Sequence, residues 1–361
     1  MKTVSFIVAL LTMFTINAFS QDDAKVASPL TISGYGDIYY SYDFNKPYNH
    51  QRQPFMYAYN RHNEVNLNIG MLKASYNTHN LRSNLGLMAG TYSNDNMAAE
   101  PGVLKNIYEA NIGVKLSKTK NIWIDAGVFA SHIGFESAIG MDCWTLTRSI
   151  MAENSPYFET GAKVTYTTND NRWMLSGLIL NGWQRIQRID GNNTPAFGHQ
   201  LVFKPNDRVT LNSSSFIGND KPDDERKMRY FHDLFGQFQL TDKLDLTAGF
   251  DIGWEQKEKS SSSYNRWYTF ALLGRYSLSD KINVAARVEY YQDEDGVIIS
   301  TEAPDGFETW GYSLNFDYLI SDAAIWRLEG RLFASQNEVF QKEDGFTDND
   351  VFVTTALAVR F

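Results

Sequence analysis

A single cysteine, Cys143, stands in 361 residues, so no disulfide can close within the chain and the fold is not a disulfide framework. Basic charge is in deficit: 33 Lys and Arg against 42 Asp and Glu leave a formal net charge of −9. That balance excludes nucleic acid as a partner, because a polyphosphate needs a basic face. No run of about 18 apolar residues follows residue 20, which excludes helical membrane spans. No Pro-, Ser- or Gly-rich linker and no shift in composition divides the chain, so residues 21–361 read as one domain. Catalytic and metal signatures are also missing. His50, His62, His79, His132, His199 and His232 show neither HExxH nor a paired ligand spacing, and there is no GxSxG elbow. The acidic stretches 293–306 and 342–350 lack the calcium-loop spacing and read as solvated loop tips. No enzyme, metal or cofactor is expected.

The first twenty residues carry an address. Lys2 gives a positive start, Val4 to Ile16 an apolar stretch, and Ala18-Phe19-Ser20 a small-residue cleavage site ahead of Gln21. Ser5, Thr12 and Thr15 break the apolar stretch, which is too short to span a bilayer comfortably. The expectation is a cleaved signal peptide over residues 1–20, with no Cys after it to make a lipoprotein.

What the chain has in abundance is aromatic residues, 14%, alongside a mean hydropathy of −0.37. That pairing suits a protein that turns apolar groups outward to lipid and polar groups inward to water. A period of two supports this. Leu244, Leu246, Ala248, Phe250, Ile252 and Trp254 alternate with Asp245, Thr247, Gly249, Asp251, Gly253 and Glu255. The same rhythm runs through 282–291, 326–334 and 351–361, placing each set on one face of a strand. The segments are about 10–13 residues long, as tilted membrane strands require, and aromatics such as Tyr39, Tyr290, Trp310 and Tyr318 sit toward their ends. Seven short turns, at 77–80, 118–120, 169–171, 205–207, 241–242, 279–280 and 321–322, alternate with eight longer polar connections. These are 44–60, 93–105, 132–156, 184–196, 218–228, 257–264, 293–306 and 337–349. Fifteen connections predict an all-β, transmembrane, antiparallel up-and-down barrel of about 16 strands. An open edge would leave unpaired backbone groups in hydrocarbon, so the sheet must close, and a ring of roughly this size encloses a water-filled lumen. Phe361 ends the last alternating strand on the outward face, in the manner of a recognition signal for the barrel-assembly machinery.

Two groups are candidates for function. Arg82, Arg275, Arg287, Arg327, Arg331 and Arg360 fall on the predicted lumen face, among acidic residues that include Glu109, Asp125, Asp245, Glu289, Asp317 and Glu329. Charge in a narrow pore with low-dielectric walls sets ion preference, although cross-strand pairing would use the same residues structurally. The loop 132–156 is too apolar for a solvated connection, with Ile133, Phe135, Ile139, Met141, Trp144, Leu146 and Ile150. It is expected to fold into the barrel and narrow it, offering Glu136, Asp142, Arg148 and Glu153 to the constriction; an external cap is the alternative.

Several of these stretches resemble a known family. They are Gly34-Tyr35-Gly36-Asp37-Ile38-Tyr39-Tyr40, Asn111–Gly113, Trp123–Gly127 and Ser131-His132-Ile133-Gly134-Phe135-Glu136-Ser137. Leu146–Ser149, Glu153–Tyr157 and Asn181–Arg185 continue the likeness. Together they resemble the OmpL-like β-barrel porins of Bacteroidetes-type bacteria, most specifically over residues 30–185. The resemblance implies an outer-membrane porin without a cofactor and names no solute.

The resulting expectation is passive diffusion of small hydrophilic solutes through a barrel set among outer-membrane lipid and lipopolysaccharide. The runner-up is a non-conducting barrel acting as receptor, adhesin or assembly component through its loops. Active transport is disfavoured, since only about nine residues separate Gln21 from the first strand. Ser131 with His132 and Glu136 makes a poor catalytic set, because adjacent strand residues point to opposite faces. Oligomeric state stays open, a homotrimer included, because a strand facing another barrel is expected to be as apolar as one facing lipid.

Overall fold

The computed structural model describes residues 28–361, so the expected signal peptide lies outside the described residues. Sixteen antiparallel strands close a ring. They are β1 (Leu30–Asp43), β2 (Val65–Asn77), β3 (Leu81–Ala89), β4 (Ile107–Lys115), β5 (Asn121–Ala130) and β6 (Phe158–Thr167). Next come β7 (Trp173–Leu180), β8 (Ala196–Asn206), β9 (Val209–Asn219), β10 (Met228–Gln239) and β11 (Leu244–Gln256). The ring is completed by β12 (Tyr264–Ser279), β13 (Ile282–Asp293), β14 (Phe307–Ser321), β15 (Ala324–Ala334) and β18 (Asn349–Arg360). Two three-residue strands, β16 (Phe340–Lys342) and β17 (Gly345–Thr347), make a separate hairpin in the last long loop. The predicted strand number and the rhythm of seven turns against eight loops both hold.

Alternation produces this wall directly. In β11, Phe250 is exposed on the outside, while Thr247, Asp251 and Glu255 are buried inside the barrel. Closure comes from β1 against β18, in register from Tyr35↔Arg360 to Asp43↔Phe352. Phe361 extends the seam: its N–H donates to the Gly34 carbonyl at 3.1 Å and its carbonyl accepts from Gly34 N–H at 3.0 Å. A Cβ at Gly34 would stand 2.3 Å from the Phe361 ring, so glycine is what lets that ring lie flat on the outer wall.

Because the outer face meets lipid, the buried apolar clusters lie in the lumen, and loops supply much of them. The connection 44–60, expected to be polar, is in part the reverse: Phe55, Met56, Ala58 and Tyr59 are buried. Phe55 packs on Phe307 and Phe333 with ring centroids 4.9 and 5.8 Å apart. The run Pro54–Tyr59 is apolar enough to leave water, and the lumen is its nearest dry surface. The stretch 293–306 is likewise more than a solvated tip, since Asp293 accepts from the N–H groups of Val297, Ile298 and Ile299, and Ile299 joins the same cluster.

Candidate functional site

Three inward arginines of the last strands hold the loop 132–156. Arg287 donates to Thr145 Oγ1 and to the Thr147 carbonyl, both at 2.8 Å. Arg327 reaches the carbonyls of Gly140 at 2.6 Å and Cys143 at 3.0 Å while paired with Asp317. Arg331 donates to the Arg148 carbonyl at 2.7 Å and pairs with Glu289. Acidic wall residues take the loop's donors in return. Glu329 accepts from the Thr147 N–H at 2.6 Å and hydroxyl at 2.7 Å, and Glu289 from Ile150 N–H at 2.7 Å. The loop therefore lies inside the ring, with Arg287, Arg327 and Arg331 no more than 2% exposed.

The loop's own charges mostly face inward on themselves. Arg148 is fully buried and donates to the carbonyls of Ser137, Ala138 and Leu146 at 2.5, 2.9 and 2.7 Å, knitting the loop together. Glu136 accepts from Ser149 N–H at 3.0 Å, and Ser149 Oγ caps the short helix Ile150–Glu153 through Ala152 N–H. Glu153 accepts from Tyr57 N–H at 2.9 Å and Ala58 N–H at 3.3 Å, joining the two inward loops. Burial pushes the Glu153 carboxyl up to about 7. Asp142 differs: it is half exposed and pairs with Arg360 at 3.1 Å. Of the four loop charges named from sequence, Asp142 is the one at water.

His132 pins the start of the loop. Its Nδ1 lies 2.7 Å from Glu159 Oε2 and its Nε2 2.8 Å from the Ser215 carbonyl. Both partners are acceptors, so the ring satisfies them fully only when both nitrogens carry protons. Burial works against that charge, but the Glu159 carboxylate and the Ser215 carbonyl outweigh it and leave the imidazole raised. Neither Ser131 nor Glu136 bonds His132.

Other ion pairs of the lumen are looser. Arg82 pairs with Asp125, Lys73 with Glu109 at 2.5 Å, and Arg275 with Asp245 at 2.7 Å, and each basic partner stays about a quarter to a third exposed. Two cavities flank the docked loop. One of about 240 Å³ is bounded by Met88, Tyr108, Glu109 and residues 133–138. A second of about 230 Å³, at the end of the long loops, is bounded by Glu100, Glu153, Arg185 and Arg229. Met97 and Phe158 wall both.

A family model described as "Putative beta-barrel porin-2, OmpL-like" matches residues 29–361. The chain belongs to the OmpL-like β-barrel porin family. No curated relative matches it. Among solved structures, an anion-selective porin from Comamonas acidovorans superposes with a TM-score of 0.59 at 9% identity, covering 92% of this porin and 99% of that chain. The outer membrane channel DcaP of Acinetobacter baumannii gives 0.56 at 11% identity, covering 95% and 100%. A trimer form of OmpT from Vibrio cholerae gives 0.58 at 10%, covering 92% and 99%. At these identities the likeness concerns the fold alone. The family makes this chain an outer-membrane porin, a barrel for passive diffusion.

Sequence reasoning missed three parts of this porin's lumen. Lys73 was within reach, since Leu72 and Tyr76 flank it on the lipid face. The His132–Glu159 pair joins a loop to a strand and has no local signature. The inward first loop was signalled by its aromatic run.

Proposed function

We propose that small hydrophilic solutes cross this porin along the gap between the docked loop 132–156 and the β3–β6 wall. The carrying observation is the pair of cavities that share Met97 and Phe158 in their walls, on the side away from Arg287, Arg327 and Arg331. The loop supplies the constriction. Arg82 and Lys73, which reach water beside that wall, act on passing ions, while Arg275, Arg360 and Asp142 keep charge at water elsewhere in the lumen. Arg287, Arg327 and Arg331, with Arg148, Glu136 and Glu153, position the loop. Export through residues 1–20, in a Bacteroidetes-type cell, and recognition of Phe361 by the assembly machinery complete the reading. Contact with lipopolysaccharide and self-association into a homotrimer belong to it as well; the trimer form of a structural neighbour supports the latter.

Planar-bilayer recording tests the path. Ohmic single-channel steps that grow in Met97→Ala and Phe158→Ala support it. Steps unchanged by both substitutions place the path elsewhere. The other reading, a non-conducting barrel presenting its loops as receptor, adhesin or assembly component, is favoured by one feature. A cavity of about 630 Å³ at the mouth is lined by Phe55, Ile299, Phe307, Val339 and Phe346. Complete absence of conductance would select that reading.

A further inference from the structure

The outward face of β8, β9 and β10 breaks the pattern that the rest of the barrel keeps. A Cβ at Gly198 would meet His132 in the lumen, so the next residue, His199, faces lipid. Ser214 donates into the lumen, to the His132 carbonyl, which turns Ser213 and Ser215 outward. Phe231 and Asp233 are buried inside, which turns His232 outward. These four side chains meet. His199 Nδ1 hydrogen-bonds Ser215 Oγ, Ser213 Oγ lies 3.4 Å from His232 Nε2, and the imidazole centroids are 6.0 Å apart. Registers run Gly177↔His199↔Ser215↔His232 across β7 to β10.

The cluster sits inside the apolar band. Phe197 and Tyr230 stand above it on the long-loop side, and Trp173 stacks on Phe203 below. His199 and His232 are the only histidines among the described strands that face outward. Hydrocarbon offers no partner to an imidazole N–H or lone pair, and polar groups buried in it without partners are costly. Lipopolysaccharide headgroups lie beyond the band. Gly177, where an added methyl would meet nothing within 4 Å, and the two serines keep the wall shallow, so another wall can approach closely.

We infer that copies of this porin associate through this wall, β8–β10 of each copy packing toward the common axis against those of its neighbours. Imidazole and hydroxyl groups both donate and accept, so the cluster of one copy can partner those of the others. The inference rests on the self-association proposed above and names the surface that makes it.

Cysteine cross-linking in native membranes tests it, in a Cys143→Ser background. Ser215→Cys is expected to give covalently linked copies on oxidation, and Gly177→Cys reads the same face if the first variant fails to insert. Ile38→Cys, on β1 across the ring, is expected to stay unlinked. The double variant His199→Leu/His232→Leu should fold and insert but associate about tenfold more weakly. Linkage through Ile38→Cys with none at positions 215 and 177 overturns the surface while self-association stands. A monomeric mass for the native porin in membrane overturns both.

Discussion

Arg287, Arg327 and Arg331 on the β13–β15 side of the lumen, and Arg82 and Lys73 on the β2–β3 side, are the same kind of residue on the same face of the same sheet. The first three are bonded to loop carbonyls and hydroxyls and are shut away from water. The other two pair with a carboxylate two strands along the wall and keep one flank wet. What separates them is whether a loop lies over them. An inward arginine in a wide barrel thus either holds a loop or stays at water, and its strand neighbours do not tell which.

The strongest way to break the comparison is to remove what makes it. Deleting residues 137–150 strips the clamped wall of its cover, and single-channel conductance should rise several-fold. An unchanged conductance would mean that the loop does not restrict flow. Next in size is Glu329→Ala, which strips Arg287 of its nearest carboxylate at 3.0 Å, leaving Glu289 at 3.2 Å, and Thr147 of its acceptor. Removing one partner of a buried pair costs about 3–5 kcal/mol. Loop docking should weaken accordingly, seen as protease cleavage within 132–156 and as noisy current. Beside the clamped wall, Asp245→Ala releases Arg275 from a part-exposed pair worth at most about 1 kcal/mol. Thermal unfolding should barely move. Charge reversal by Arg82→Glu should leave docking intact and shift the reversal potential toward cations, where an unchanged reversal potential would place Arg82 off the ion path.

Much of this was legible from sequence, and the boundary falls where chemistry stops being local. Strand number, closure and the inward direction of all six arginines follow from a period of two, which the pleat converts to faces without reference to distant residues. The apolar content of 132–156 placed that loop indoors. The destination of its charges was not legible. Arg148 bonds carbonyls ten and eleven residues away, and Glu153 bonds amides of a loop about 95 residues earlier. Such partners depend on how two loops fold together inside the ring, and no spacing encodes that. The outward histidines were visible as breaks in alternation, yet a break in one strand means little until register sets His199 beside Ser215 and His232.

The finest test of the comparison uses protons, because the docked loop carries titrating groups of its own. Glu153 is raised from 4.5 to about 7, so its docked form holds a proton that the undocked form gives up. Its contribution to docking is therefore present at acid pH and lost as pH climbs from about 4.5 to about 7. His132 is raised above 6.5, so its contribution is full below that value and fades as pH rises through the raised one. Both signs agree: the loop should grip most tightly at acid pH, and conductance should be lower at about pH 5 than at about pH 9. Glu153→Gln keeps an acceptor for Tyr57 and Ala58 without the charge, and should flatten the acid part of the profile while the His132 part persists. A conductance that falls as pH rises would reverse the sign, and would assign the pH response to the wet wall instead of the clamped one.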